Sequence, residues 1–198
     1  MNKTGKTEER KEKIRVVIEK RQPSLTVVAE NITDPHNLSA MLRSCDAVGV
    51  LEVCLIYDCS QPFPKLGEKS SASAKKWVKV RKFRSVIECY KHLRESGKLI
   101  YTTHLGIESK SLYELDLTRE IALVFGNEHS GISDEAAELS DGNFIIPQVG
   151  MIKSLNISVA CAVSLYEAFR QRQLAGMYKF PQMDEKEFQE NFDYFLKK

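Results

Sequence analysis

The apolar positions along the chain change period several times. In TEERKEKIRVVIEKRQ (7–22), Ile14, Val17 and Ile18 stand at helical spacing in a charged stretch, which predicts a short amphipathic helix with a basic outer face, ended by Pro23. LTVVAE (25–30) is an apolar run and predicts a buried strand. From Leu38 the period returns to that of a helix. Leu38, Met41, Leu42, Cys45 and Val48 fall on one side, and Asn37 can cap the start. LEVCLIYD (51–58) is a second apolar strand, and residues 59–75, with two Pro, a Gly and several Ser, read as a long loop. In WVKVR the alternation puts Val78 and Val80 on one face, with Trp77, Lys79 and Arg81 on the other. SVIECYKHLRES is a helix stopped by Gly97. KLIYTT and IALVFG are strands, SDEAAEL a short helix and NFIIP a last short strand. A helix runs from Ser154 to about Gln173, apolar nearly all round in its first turns and so buried on several sides. After Pro181 a mixed-charge, aromatic-rich helix closes the chain.

Strands alternating with helices imply an α/β protein, a parallel sheet covered on both faces. In such sheets ligands sit at the carboxyl ends of the strands, so the loops after strands hold the candidate chemistry. No internal repeat or low-complexity segment interrupts the pattern.

Composition adds exclusions. Of 198 residues, 42% are apolar and 28% charged, as in soluble globular chains. No apolar run approaches the ~20 residues of a membrane helix, and MNKTGKTEERKEK lacks the apolar core of a signal peptide. A cytoplasmic protein without membrane contact is expected. The five cysteines are scattered, with no CxxC or Cys/His spacing that suggests a metal, so free thiols in a reducing compartment are expected and a redox or metal protein is disfavoured.

The net charge of +2 is unevenly spread. Residues 1–21 hold eight Lys/Arg against four Glu, residues 69–84 hold seven Lys/Arg and no acid, and the remainder is net acidic by nine. Two basic patches suit a polyanionic partner, although charge runs are also ordinary solvated faces.

Three stretches can carry chemistry. In NITDPHNLSAMLRSCDAVGV (31–50), Arg43 lies away from the apolar stripe, with Ser39 and Asp46 as its helical neighbours; periodicity alone reads it as a surface pair with Asp46. In IALVFGNEHSGIS (121–133), Gly126 and Gly131 allow close backbone approach to a ligand, but equally a plain turn, with Glu128 a surface acid. Neither GxGxxG nor GxxxxGK[ST] occurs, which argues against a dinucleotide fold or a phosphate-loop hydrolase. In FIIPQVGMIKSLNISVA (144–160), Ser154 and Asn156 stand at a helix start, where free N–H groups favour an anion, or where Ser154 is simply a cap.

Together and in this order the three stretches resemble the three motifs of the SPOUT methyltransferases. Asn31, Asp34, Pro35, Asn37 and Arg43 meet N-x-x-D-P-x-N-x-x-x-x-x-R. The second stretch is similar to L-V-F-G-x-E, and the third to I-P-x-x-G-x-x-x-S-L-N-x-S-V-A. The match covers about residues 24–175. Within the superfamily the likeness is to the TrmH-type tRNA (guanosine-18) 2′-O-methyltransferases, which share its short basic extensions at both ends.

The resemblance implies a deep C-terminal trefoil knot, a homodimer, and S-adenosylmethionine as methyl donor for a ribose 2′-OH in tRNA. It divides the chain into a basic N-terminal helical extension (1–23), a catalytic domain (24–175) and a C-terminal helical extension (176–198). It puts the cofactor against Thr103, Leu123, Gly126, Ile146 and Leu155. Arg43, Asn37, Glu128, Ser154 and Asn156 become the catalytic set, Arg43 reaching the partner's pocket, with His36 close by in the same loop. The basic positions become RNA contacts: Arg10, Arg15 and Arg21; Lys75, Lys76 and Arg81; Arg170 and Arg172. No metal is implied. Lys153 departs from the family pattern, where a polar uncharged residue is expected. Rival readings are a 2′-O-methyltransferase for rRNA or another tRNA nucleotide, and an inactive RNA-binding member.

Overall fold

The computed structural model describes residues 8–58, 62–64, 74–104, 109–152 and 154–198, and only the backbone of residues 74 and 75. Most of the expected 59–75 loop, Cys59 and Lys153 lie outside the described residues, as does the side chain of Lys75. The elements are α1 (Glu8–Glu19), β1 (Gln22–Glu30), α2 (Pro35–Ala47), β2 (Val50–Ile56), α3 (Ala74–Trp77), β3 (Lys79–Phe83), α4 (Val86–Glu95), β4 (Leu99–Thr103), β5 (Lys110–Ser111), β6 (Ile121–Phe125), α5 (Asp134–Glu138), β7 (Gly142–Ile145), α6 (Ile157–Leu174) and α7 (Glu185–Leu196).

Among the described residues, seven strands form one sheet in the order β3-β2-β1-β6-β4-β7-β5, every pairing between them parallel. The central strands are buried on both faces, which is why their sequences are apolar runs rather than alternations. Successive residues serve opposite cores. Val27, Leu55, Leu123 and Phe125 face α2 and α6, packing with Leu38, Leu42, Cys161 and Leu165. Val28, Cys54, Ala122 and Val124 face α4 and α5, packing with Cys89, Leu93 and Ala136. A third cluster joins the two ends of the chain: Ile14 and Ile18 of α1 meet Phe192 and Phe195 of α7 around Leu51. Arg15 of α1 lies over the Phe192 ring at 5.2 Å. The two terminal extensions thus pack as a single layer.

Several boundaries differ from the sequence reading. Pro23 does not end α1; it sits in β1, where the register with β2 is irregular between Gln22 and Thr26 because proline has no N–H for the ladder. Trp77 ends the one-turn helix α3, its ring 6.2 Å from Phe195, instead of facing outward on a strand. No helix among the described residues is long and apolar enough to cross a membrane.

Candidate active site

The strand order reverses beside β1. β2 and β3 lie on one side of it and β6, β4, β7 and β5 on the other. The loops leaving β1 and β6 therefore diverge from neighbouring strands, the place where open α/β sheets form a crevice.

After β1 the backbone takes a left-handed turn at Asn31, φ +51°. Asp34 then caps α2, its carboxylate accepting from the His36 N–H at 2.8 Å, and Pro35 supplies the first helical residue. The sequence reading gave the cap to Asn37 and the start to Leu38. The earlier start is physically cheap because proline at that position has no N–H to leave unsatisfied. It also frees the Asn37 amide for other bonds.

That amide joins the three motif stretches. Asn37 Nδ2 donates to Glu128 Oε1 at 3.0 Å, and Asn37 Oδ1 accepts from Asn156 Nδ2 at 3.1 Å. Asn156 in turn caps α6, its Oδ1 accepting from the Ser158 N–H at 2.9 Å. The other Glu128 bonds come from the Asp34 N–H at 3.2 Å and from the N–H and hydroxyl of Thr33, both at 3.1 Å. Partial burial alone would raise the Glu128 carboxyl. The hydrogen bonds from Asn37 and from backbone N–H groups, Thr33 and Asp34 among them, override it and hold the group at about 2. With both oxygens occupied and so low a pKa, Glu128 is a poor general base and a good strut.

The loop after β6 is closed by its own backbone. Asn127 and Gly131 exchange N–H···O bonds at 2.9 and 3.0 Å, and a Cβ at Gly126 would lie 2.3 Å from the Gly131 carbonyl, so only glycine fits. Asn127 Nδ2 donates to the Asn31 carbonyl at 2.7 Å, tying this loop to the turn after β1. Thr33 and Asn127 were missed by sequence reasoning. The only signal was position, each lying within three residues of the carboxyl end of a buried strand.

Arg43 is exposed and takes part in no hydrogen bond or ion pair among the described residues. The expected pair with Asp46 does not form, because Arg21 takes that carboxylate at 2.6 Å. Ser154 does not begin α6; it is exposed and lies before the Asn156 cap.

Of the expected cofactor residues, Thr103, Gly126 and Ile146 come to the carboxyl rim of the sheet, where Thr103 Oγ1 donates to the Val124 carbonyl at 3.1 Å. Leu155 is exposed in the approach to α6. Leu123 lies lower, with its side chain wholly in the core. Surface depressions of about 660 Å³ beside α7 and about 630 Å³ between α4 and Leu139 include none of these residues.

Two expected RNA contacts are corrected. Arg21 is buried, donating to the carbonyls of Val50 and Trp77 and to Asp46. Arg172 is fully buried, donating to the carbonyls of Leu117 and Arg119, to Gln22 Oε1 and to Ser24 Oγ. Burial lowers its pKa to about 10. Both act as internal cross-braces, because fixed guanidinium donors can satisfy several buried acceptors at once. Arg15, Lys76, Arg81 and Arg170 are exposed and Arg10 is half-buried. Arg81 pairs with Glu52 at 2.9 Å and Arg170 with Glu167 at 2.8 Å.

A family profile described as the SpoU rRNA Methylase family matches residues 24–166. A tRNA (guanosine(18)-2'-O)-methyltransferase of Thermus thermophilus is 44% identical over 193 residues, spanning 98% of each protein. The crystal structure of the A. aeolicus TrmH/SpoU tRNA modifying enzyme superposes with a TM-score of 0.89 at 38% identity, covering 96% of both chains. The SpoU methyltransferase AviRb from Streptomyces viridochromogenes, in complex with the cofactor AdoMet, superposes with a TM-score of 0.67 at 25% identity, over 78% of this chain and 59% of that one.

Proposed function

The chain belongs to the SpoU rRNA Methylase family, and we propose that it transfers the methyl group of S-adenosylmethionine to the ribose 2′-oxygen of the guanosine at position 18 in tRNA. The observation that carries this reading is the hydrogen-bonded chain Glu128–Asn37–Asn156, which unites all three motif stretches at the sheet's switch point. The full-length match to a relative named for that reaction supports the substrate.

The residues at the rim fit the cofactor. Ile146 and Leu155 are apolar yet only partly covered, and suit the faces of an adenine ring. Gly126 brings backbone N–H and C=O groups close, as recognition of a flat polar heterocycle needs. When bound, the cofactor supplies an electrophilic methyl on a sulfonium. Asn37, Glu128 and Asn156 act as positioning residues, holding the loops after β1 and β6 and the start of α6 in one geometry, since an in-line transfer draws much of its rate from alignment.

Arg43 is the catalytic residue of this reading. A guanidinium stays protonated in proteins, so it does not take the 2′-OH proton. It grips a phosphate of the target nucleotide and stabilises charge developing on the ribose oxygen, the proton passing to a phosphate oxygen or water. It does so across a homodimer interface, at the partner's cofactor pocket. The bare apolar surface of Val149, Met151, Ile152, Val159 and Tyr166 around the start of α6 supports such an interface. β6 inserted between β1 and β4, and β7 between β4 and β5, support a trefoil knot around residues 121–175. The exposed Arg15, Lys76, Arg81 and Arg170, with Arg10 and Lys75, dock tRNA through phosphates in the cytoplasm. The terminal extensions, 1–23 and 176–198, flank the catalytic unit 24–175.

The test is incubation with an unmodified tRNA transcript and labelled S-adenosylmethionine, followed by mapping of the modified nucleotide. Label confined to the ribose of guanosine 18 is expected. Equal labelling of a transcript in which that guanosine is replaced would overturn the substrate assignment.

A further inference from the structure

On the opposite core, under α4, two sequence-distant pairs of metal-type ligands converge. Glu52 and Cys54 stand two apart on β2 and so project to the same face. Cys89 and His92 stand three apart on α4, one above the other on the same side. The carboxylate, thiol and imidazole donor atoms of Glu52, Cys54 and His92 all lie within 4.8 Å of one another. His92 Nε2 is 2.8 Å from Glu52 Oε1, and the Cys54 Sγ is 3.8 Å from that same oxygen. Cys89 packs with Cys54 in the same buried cluster. We propose that Glu52, Cys54, Cys89 and His92 form a site for a tetrahedral, thiolate-binding divalent metal ion, with zinc the best match.

Three features favour this over a chance cluster. The first is spacing. Zinc–ligand lengths of about 2.3 Å to sulfur and 2.0–2.2 Å to nitrogen and oxygen imply tetrahedral edges of about 3.6 Å for S···O and about 3.4 Å for N···O. The sulfur–carboxylate distance already matches. The imidazole need withdraw from the carboxylate by only about half an ångström, and both are partly exposed and free to move that far. The second is the outer shell. Arg81 Nε holds the other Glu52 oxygen, Oε2, at 2.9 Å, which leaves Oε1 for a monodentate bond. The Phe83 ring, 5.5 Å from that of His92, fixes the imidazole plane. The third is charge. Two thiolates, one carboxylate and a neutral imidazole around a divalent ion leave one negative charge, and the Arg81 guanidinium cancels it.

Spacing along the chain could not show this set, because the β2 pair and the α4 pair are 35 residues apart. The site lies away from Glu128 and Arg43 and is independent of methyl transfer. Its effect is to staple α4 to β2 and β3, the strand that carries Arg81.

The experiment uses the full chain, reduced, stripped with a chelator and titrated with Co²⁺ and then Zn²⁺. One equivalent of Co²⁺ should bind with thiolate-to-metal charge-transfer bands and the visible bands of a tetrahedral centre, Zn²⁺ should displace it, and Tm should rise with saturation. The double variant Cys89→Ala/His92→Gln should lose the equivalent. Arg81→Ala, which keeps every ligand, should bind about 10–100-fold more weakly. Absence of charge-transfer bands in the wild-type chain would overturn the site without any variant having to fold. So would unchanged Co²⁺ stoichiometry and bands in the double variant, which would assign the metal to Cys45, Cys161 or surface histidines.

Discussion

Replacing Asn37 by Asp tests the motif-joining network with almost no change of shape. The donor that now lies 3.0 Å from Glu128 Oε1 becomes an oxygen, while the acceptor for Asn156 is kept. Two carboxylates about 3 Å apart repel by about 1.4 kcal/mol at the dielectric of water and about 5.5 kcal/mol at an effective value of 20. Proton uptake caps the penalty. Raising the new aspartate carboxyl from its ordinary value of about 3.9 so that it holds a proton at pH 7 costs about 4.2 kcal/mol, after which the pair shares that proton. The deficit at pH 7 is thus about 1.4–4.2 kcal/mol, or roughly 10- to 1,000-fold in an equilibrium constant.

The sign of the pH dependence separates this from a simple lost bond. In the variant the folded-state pKa of the pair is raised, so stability is regained as pH falls and lost as it rises. The deficit shrinks by about 1.4 kcal/mol per pH unit toward pH 5. In the wild type Glu128 is depressed to about 2, so its contribution is complete above about 4.5 and fades only as pH falls toward 2. Urea unfolding and calorimetric affinity for S-adenosylmethionine between pH 5 and 8 read the difference, with Asn37→Ala as a control whose deficit is independent of pH. A pH-independent deficit in Asn37→Asp equal to that of Asn37→Ala, or none at all, would refute the network as the organiser of the site.

Arg43→Lys keeps the charge and loses the fork, and single-turnover methylation should fall at least ~100-fold; a near-wild-type rate would exclude the guanidinium role. Arg172→Leu strands four acceptors at about 1 kcal/mol or more each, so urea unfolding should show a loss of at least ~3 kcal/mol. The slope of log affinity for tRNA against log salt should stay unchanged in that variant. Lys76→Ala should flatten this slope by about one while leaving unfolding within about 0.5 kcal/mol of wild type, since its side chain is exposed, whereas Arg15→Ala should flatten it equally and also lose about 0.5–1 kcal/mol of stability with its contact to the Phe192 ring.

The sheet was legible because buried parallel strands must be apolar on both faces, and LTVVAE, LEVCLIYD and IALVFG could hardly be anything else. The loops that the Glu128–Asn37–Asn156 chain joins were legible because the three motifs follow strands and carry Gly, Asn and Asp. The fate of a cation was not. Arg21 and Arg172 contribute to a basic composition just as Arg15 does, yet each is drawn inward by unpaired carbonyls that only the tertiary fold brings to it. That capture of Asp46 by Arg21 also removed the surface partner that periodicity offered Arg43. Helix starts slipped by a few residues at both site helices, since Asp34, Asn37, Ser154 and Asn156 are all competent caps and packing chose among them. Strand β5 was invisible, because two residues carry no period.

The central claim is that Arg43 serves the partner's cofactor pocket, and subunit complementation tests it directly. Arg43→Ala and Gly126→Ala, each inactive alone, are unfolded together in equal amounts and refolded, so that half the dimers are mixed. If the arginine acts across the interface, each mixed dimer regains one intact site, and methylation should return to about one quarter of the wild-type specific activity. Recovery of no activity, with mixed dimers verified by mass, would mean that arginine and pocket must belong to the same chain.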